Sequence, residues 1–384
     1  MRVLIAGAVL DSSWPGGEPT IAKGLANGLR SAGVEVTTYG RVRPWRRLLS
    51  RALLPYDVTP QARRLYSKLI GQDKPDIVLG FYDYDCSLYL SSLRLRIPSV
   101  ACVHIFWPGC PMETFYVDHR GICDSRSFSR CTIHVRYSRY KTARSLAGFP
   151  SALLEYVTFL SRRSILNQLN ALVVPSHAVK RKLSSAGFHN MHVIHNGLNL
   201  NEIDYKEWTG GHKIVLNPTG RTDEMKGLSH FIAVAKKLKR KWGAHVTFLA
   251  TGYRGDNWVH GAGLHSRSQV LSLLKQSYLS VIPPLWEEPF GIRVIEVMAA
   301  GKPVVAYDSG AMREIVADGV TGFCVPRGDL KALASAIDSL IEDEDLARRM
   351  GMEGRRRVEK YFTTTVMVDK YLDLLNRVLS ATRC

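Results

Sequence analysis

Cysteine is scarce in this sequence, and long apolar runs are missing from it. Seven cysteines in 384 residues are too few, and odd in number, for the disulfide framework of a small secreted domain. Residues 3–10 form an apolar or glycine stretch of eight residues, whereas a membrane span needs ~20. No small-residue cleavage site of a signal peptide follows this stretch. The sequence therefore predicts a cytoplasmic protein whose first residues form a buried strand.

Acidic residues are outnumbered. Lys and Arg total 52 against 34 Asp and Glu, which gives a formal net charge of +18 at pH 7. Such an excess favours an anionic partner, namely nucleic acid, an acidic membrane surface or a phosphorylated substrate, although a generally basic proteome would produce it too. The shares of 46% hydrophobic and 22% charged residues are ordinary for soluble globular proteins, which excludes a disordered chain, a collagen-like fibre and a membrane bundle.

Apolar strand patterns alternate with helical repeats along the whole chain, in two successive series. The first series runs from residues 3–9 to residues 192–195, and the second starts at residues 213–216. This predicts an α/β fold with two doubly wound, Rossmann-like parallel sheets. Ligands bind at the carboxyl ends of such strands, which can face each other across a cleft. We expect an N-terminal domain over 1–199, a second domain over 200–362, and a C-terminal helix over 363–384 that could pack back on the first domain.

The most informative stretch is WEEPFGIRVIEVMAAGKPVV, residues 286–305. Pro289 is favoured at a helix start, so residues 290–292 would present free backbone N–H groups to a phosphate. Glu288 and Glu296 would bracket this helix N-terminus and could accept hydrogen bonds from ribose or sugar hydroxyls. The alternative is a solvated helix start with acidic residues near its positive end.

A second candidate site is NPTGRTDEMKG, residues 217–227. The predicted strand ends here in a glycine turn, and Arg221 and Lys226 stand five apart in the following loop. Two cations at the carboxyl end of a strand suit a diphosphate. The alternative is a pair of surface charges.

Together the two stretches resemble the donor domain of retaining GT-B glycosyltransferases, most closely the large fourth family. The resemblance extends to both ends of the chain. Its further elements are Gly16-Gly17, His104 after the strand pattern SVACV, Pro175-Ser176, Asn196-Gly197-Leu198-Asn199, Ser309-Gly310, Glu314-Ile315-Val316, Gly319 and Thr321-Gly322.

The resemblance implies a reaction. A sugar passes from a UDP-, GDP- or ADP-linked donor to a hydroxyl acceptor, lipid-linked or on a growing glycan, with retention of the anomeric configuration. The nucleotide-sugar is a donor substrate, and neither a metal nor another cofactor is required.

The resemblance also implies residue roles. Arg221 and Lys226 hold the donor diphosphate, Glu296 binds the ribose hydroxyls, and Glu288 contacts the transferred sugar. His104 lies beside the reacting sugar. The positions whose backbone contacts donor or acceptor are Gly16, Gly17, Gly220, Phe290, Gly291 and Ile292.

Three departures from the family pattern concern the nucleotide base pocket and the acceptor side. Ala311 replaces the second glycine of a Gly-Gly pair, and Thr251-Gly252-Tyr253 replaces a Gly-x-Gly. Ile105 stands where an aspartate often follows the histidine. The identity of the donor therefore stays open.

Two metal patterns compete with this interpretation. Asp83 and Asp85 match the short Asp-x-Asp motif of the GT-A class. Cys110, Cys123, Cys131 and His134 could form a zinc site, but their spacings of 13, 8 and 3 are not standard, and reduced structural thiols are the alternative.

Residues 41–70 carry eight basic residues and one acidic residue, Asp57. Leucines and Trp45 intermix with the arginines, a composition that suits an anionic lipid surface and predicts peripheral binding to the inner face of the membrane. A solvated helix face and a site for an acidic acceptor are alternatives. No nucleic-acid recognition motif is present. The alternative from another class is a basic protein that binds membrane or nucleic-acid surfaces on a GT-B scaffold without transfer activity.

Overall fold

The computed structural model describes residues 1–7, 18–40, 60–81, 86–110, 116–117, 121–123, 148–220, 224–263 and 266–383. The chain divides into two compact units. One comprises Met1–Gly197 together with Thr364–Cys384, and the other comprises Leu198–Thr363.

The first unit is a parallel sheet with helices packed on it. Its strands are β1 (Arg2–Gly7), β2 (Glu35–Tyr39), β3 (Ile77–Phe81), β4 (Ser99–Cys102), β5 (Tyr116–Val117), β6 (Gly121–Ile122), β7 (Ala171–Val174) and β8 (Met191–Val193). Six of them form the parallel sheet, in the order β2-β1-β3-β4-β7-β8, and β5 pairs with β6 in an antiparallel ribbon. Its first five helices are α1 (Glu18–Ser31), α2 (Pro60–Asp73), α3 (Ser87–Arg94), α4 (Gly148–Leu166) and α5 (His177–Ser185).

The second unit repeats this architecture. Its strands are β9 (Lys213–Asn217), β10 (Val246–Thr251), β11 (His260–Gly263), β12 (Leu279–Ile282), β13 (Val304–Asp308) and β14 (Gly322–Pro326), in the sheet order β11-β10-β9-β12-β13-β14. Its helices are α6 (Leu228–Trp242), α7 (Arg267–Gln276), α8 (Ile292–Ala299), α9 (Met312–Ile315), α10 (Leu330–Glu342) and α11 (Glu344–Tyr361). Two buried apolar clusters cover the sheet.

The last helix, α12 (Thr364–Arg383), belongs to the first unit. It packs against α1, where a Cβ on Gly28 would lie 2.4 Å from Val368 Cγ2. A side chain larger than that of glycine at this position would therefore force Val368 to shift. The Tyr371 hydroxyl donates to Cys102 Sγ at 3.4 Å and ties α12 to the end of β4.

The predicted fold class is confirmed, because both sheets are parallel and doubly wound. The strand predicted at 192–195 is wrong in position, since β8 spans Met191–Val193. Strands β5, β6, β11 and β14 were not predicted. The cleft between the two domains stays a prediction.

The basic segment 41–70 is described only in part. Residues 41–59 lie outside the described residues, and the remainder belongs to α2, whose Tyr66 and Ile70 are buried. Among the helices that the structure describes, none is both long enough and apolar enough to cross a membrane. The predicted membrane contact therefore stays a prediction.

Candidate active site

Lys226, Trp286 and Glu288 form a compact polar cluster in the second unit. Glu288 Oε2 accepts hydrogen bonds from Lys226 Nζ and from Trp286 Nε1, both at 2.8 Å. The Lys226 ammonium also lies 4.6 Å from the centre of the Trp286 ring, within range of a cation–π interaction. Two of the predicted site residues are thus brought together, and Trp286 is a member of the cluster to which the sequence argument gave no role.

Two glycines allow the loops of this cluster to approach closely. Gly227 has φ +68°, and a Cβ there would lie 1.9 Å from the Pro283 carbonyl oxygen. Gly310 has φ +62°, and its Cβ would lie 2.2 Å from the Glu288 carbonyl oxygen. Because both neighbours are backbone atoms, a side chain at either position would displace the loop. The loops that carry Lys226 and Glu288 therefore require glycine at these two positions.

Ala311, the departure from a Gly-Gly pair, fits the structure without strain. Its φ of −85° is one that any residue adopts, and its side chain is buried. Its N–H donates to the Glu288 carbonyl oxygen at 2.9 Å. The left-handed conformation is required only at Gly310, so the second glycine is dispensable here.

Helix α8 begins later than the sequence predicts. Its first residue is Ile292 and its N-cap is Gly291 with φ +93°, so Pro289 precedes the helix and is not its first residue. Phe290 lies outside the helix and is buried. Because α8 begins at Ile292 with Gly291 as its N-cap, its orphan N–H groups start at Gly291 and not at Phe290. Phosphate binding by these groups stays a prediction.

Glu296 is buried on α8 and is held by two arginines that the sequence argument missed. Arg267 Nε donates to Oε1 at 2.8 Å, and Arg293 Nη1 donates to Oε2 at 2.6 Å. Arg267 also contacts Glu202 Oε2 at 2.5 Å. Each carboxylate oxygen has a second lone pair, so Glu296 keeps the capacity to accept a hydroxyl. The Arg293 contact could be read from its i, i+3 spacing, but the Arg267 contact has no such signal.

The loop after β9 is fixed by its neighbour after β10. The Gly220 N–H donates to Thr251 Oγ1 at 2.9 Å, and Gly220 has φ +67°. A Cβ on Gly252 would lie 2.5 Å from the Gly220 backbone. Thr251-Gly252-Tyr253 thus keeps a glycine at the point of closest approach, although it departs from the family pattern.

His104 belongs to the first unit and lies just beyond the end of β4. Its ring stacks on Phe81, with centroids 5.5 Å apart and planes 27° apart. Burial lowers the pKa of His104 from 6.5 to about 4, because the charged imidazolium is poorly solvated there. The side chain is therefore neutral at pH 7 and has one N–H donor and one acceptor nitrogen.

Several predicted site residues lie outside the described residues. These are Gly16, Gly17, Arg221, Asp83, Asp85, Cys131 and His134. Of the four candidate zinc ligands, Cys110 is buried and Cys123 is half-buried. Within the described ranges, no group of three or more His, Cys, Asp or Glu side chains could hold a metal ion. Independence from a metal stays a prediction.

Comparison with known protein families identifies the family of this chain. The family described as "Glycosyl transferases group 1" matches residues 206–357, and "Glycosyltransferase Family 4" matches residues 15–202. The matches together span most of the chain. The protein belongs to the group 1, family 4-like glycosyltransferases.

The chain is also similar in sequence to individual curated proteins. The chain is 30% identical over 183 residues to alpha-maltose-1-phosphate synthase of Mycolicibacterium smegmatis, covering 41% of this chain and 46% of the relative. The chain spans about half the length of these curated relatives.

Solved structures show the same fold. Sucrose-phosphate synthase of Thermosynechococcus elongatus superimposes with a TM-score of 0.71 at 18% identity, covering 99% of each chain. HepE of Anabaena, solved with UDP-glucose, gives a TM-score of 0.68 at 17% identity, covering 98% of this chain and all of HepE. Both establish the GT-B fold for this chain.

Proposed function

We propose that this protein transfers a sugar from a nucleoside diphosphate-sugar to a hydroxyl acceptor, with retention of the anomeric configuration. The observation that carries the proposal is the 2.8 Å contact between the Lys226 ammonium and the Glu288 carboxylate, close to the start of α8. A cation for a diphosphate and a carboxylate for sugar hydroxyls stand side by side. Membership of the glycosyltransferase family supports it.

In this proposal the leaving diphosphate is bound by positive groups. Lys226 and Arg221 pair with its oxygens, and the N–H groups at the start of α8 donate to it. Negative charge develops on the diphosphate as the bond to the sugar breaks, so donors fixed in advance lower the barrier. A transfer site of this kind does not need a divalent cation.

Two carboxylates and a histidine recognise the rest of the donor. Glu288 accepts hydrogen bonds from the transferred sugar, and Glu296 accepts them from the ribose. Arg267 and Arg293 hold Glu296 in one orientation for that contact. His104 contacts the transferred sugar as a neutral donor or acceptor, because its pKa of about 4 keeps it uncharged at pH 7. The acceptor that we propose is lipid-linked or a growing glycan.

The first experiment is a thermal-stability screen of UDP-, GDP- and ADP-sugars. A ligand that binds only the folded state stabilises it by about 2.7 kcal/mol at a hundredfold excess over its Kd. We expect one nucleotide series to raise the melting temperature. Transfer is then followed with that donor, and proton NMR of the first product reports whether the anomeric configuration is retained.

The second experiment tests the diphosphate contacts. Lys226→Ala and Arg221→Ala should each weaken donor binding about tenfold to a hundredfold, because a hydrogen bond between charged partners contributes ~1.5–3 kcal/mol. Lys237→Ala, at an exposed position of α6, is the matched control and should bind donor normally. Normal donor binding by both site variants would contradict the assignment. If no nucleotide-sugar binds and anionic vesicles or duplex DNA do, the surface-binding alternative is favoured.

A further inference from the structure

A second concave site lies in the first unit, at the outer edge of its sheet. The cavity has a volume of about 330 Å³. Its lining comes from the edge strand β8 with the residue that follows it, from α5 and from α12. Every described residue of this lining belongs to the first unit. Its size is at the lower end of the ~300–1,000 Å³ that small-molecule sites occupy.

The lining of the cavity separates into an apolar part and a basic part. Apolar side chains, most of them buried, come from Met191, Val193, Ile194 and Leu374. The more accessible part is basic and consists of His177, Lys180, His192, Lys370 and Arg377. Asp373 is the single carboxylate among the described residues of the lining, and it pairs with Arg377 on the same helix at 3.0 Å. Three permanent cations thus line the cavity with one carboxylate, which pairs with Arg377.

The positive charges in this lining are close enough to act on one another. The pKa of His192 is lowered first by burial and then by the charges of Arg377 and Lys180. Lys180 and Lys370 have no carboxylate partner among the residues that the structure describes. An anion bound in the cavity would relieve this repulsion and accept hydrogen bonds from several converging donors.

We propose that this cavity binds the phosphate group of a small phosphorylated molecule. The basic side chains pair with the phosphate oxygens, and the apolar side chains pack against the body that carries the phosphate. The same chemistry fits a free metabolite and the headgroup of an anionic lipid. The site is separate from the proposed diphosphate contacts, Arg221 and Lys226, which belong to the other unit.

Calorimetric titration with inorganic pyrophosphate, in phosphate-free buffer, tests the proposal. Lys180→Gln/Arg377→Gln removes two of the cations. Arg94→Gln/Arg181→Gln is the control, because it removes equal charge from exposed positions outside the cavity. We expect the cavity variant to bind pyrophosphate about tenfold more weakly than the control at this site. Because pyrophosphate could also bind the proposed diphosphate contacts of the donor site, the cavity and control variants are compared again in a Lys226→Ala background. The same difference between them is expected there, whether or not the donor proposal holds.

A gain-of-binding variant guards against loss through misfolding. Asp373→Asn removes the acidic partner of Arg377 and should tighten pyrophosphate binding severalfold. Equal binding by the cavity and control variants, or no gain with Asp373→Asn, would overturn the proposal.

Sedimentation with vesicles of equal parts phosphatidylcholine and phosphatidylglycerol separates the two sources of phosphate. If the cavity serves a lipid headgroup, the cavity variant will lose vesicle binding relative to the control. If it serves a free metabolite, the two variants will sediment equally. The pyrophosphate titration decides the proposal in both cases.

Discussion

Replacing Trp286 by phenylalanine should slow sugar transfer by disturbing the Glu288 carboxylate. The change removes the indole N–H, which donates to Glu288 Oε2 at 2.8 Å. It keeps an aromatic ring near Lys226 Nζ, so part of the cation–π contact remains. Of the two hydrogen bonds that Oε2 accepts, the one from Lys226 persists. Trp286 acts in this scheme as a positioning residue.

The size of the effect follows from the burial of this cluster. A hydrogen bond to a charged group contributes ~1.5–3 kcal/mol. The Glu288 side chain is 12% exposed, so water can replace part of the lost contact and the lower end of that range applies. Since ~1.4 kcal/mol corresponds to a factor of ten in rate, kcat/KM for the donor should fall about tenfold.

The chain contains a matched control for this substitution. Trp242 Nε1 donates to Asp338 Oδ1 at 2.7 Å, and Lys241 lies both 2.8 Å from Asp338 Oδ2 and 4.9 Å from the Trp242 ring centre. The same three chemical groups thus recur between α6 and α10, among residues assigned no role in transfer. Trp242→Phe should reduce stability modestly and leave kcat/KM unchanged.

A double-mutant cycle shows whether Trp286 acts through Glu288. Donor affinity and kcat are measured for Trp286→Phe, Glu288→Ala and the combination. If the indole works by holding the carboxylate, adding Trp286→Phe to Glu288→Ala should cost little further. Fully additive losses, or equal kcat/KM for the Trp286 and Trp242 variants, would refute the reasoning.

Two further predictions concern stability. His104 should make the protein acid-sensitive. Its pKa is about 4 in the folded state and 6.5 in the unfolded state. The unfolded state therefore binds more protons between these two values, and stability rises with pH across that window. Between pH 7 and pH 5 the free energy of unfolding, measured with urea, should fall by about 2 kcal/mol more in wild type than in His104→Asn. Equal losses in the two proteins would disprove burial as the cause. Gly310→Ala should reduce stability by at least ~1–2 kcal/mol because of its left-handed φ, and it should also displace Glu288. Ala311→Gly should leave transfer unchanged. Thermal melts and donor kinetics on both variants check these expectations.

Much of the architecture was accessible from the sequence because buried parallel strands are apolar throughout. Strand β9 (Lys213–Asn217) lies where the second series of strand patterns is predicted to start, at residues 213–216. Strand β11 was missed because its sequence, HGAG, contains no β-branched residue and no Phe, Tyr or Trp. It is a strand because β10 offers it a parallel partner, not because of local preference.

The candidate site was only partly predictable, because some of its contacts depend on tertiary packing. Lys226 and Glu288 were selected by motif, and the structure brings them together although they stand 62 residues apart. The start of α8 was misplaced because Pro289 was given more weight than Gly291, whose positive φ excludes it from the helix. Arg267 was missed because its contact with Glu296 depends on tertiary packing, for which sequence spacing gives no signal.

The ion pair between Lys226 and Glu288 has a consequence for donor binding. A diphosphate that reaches Lys226 competes with Glu288 for the ammonium, and Lys226→Ala would leave the carboxylate facing the incoming phosphates alone. Like charges at close range repel, so part of the loss of donor binding expected for Lys226→Ala comes from this repulsion. Adding Glu288→Gln should then restore part of the affinity for the nucleoside diphosphate of the donor, severalfold by calorimetry. The carboxamide keeps an oxygen that can accept the Trp286 N–H, so the cluster retains its packing. Weaker binding by the double variant than by Lys226→Ala alone would show that Glu288 does not oppose the diphosphate.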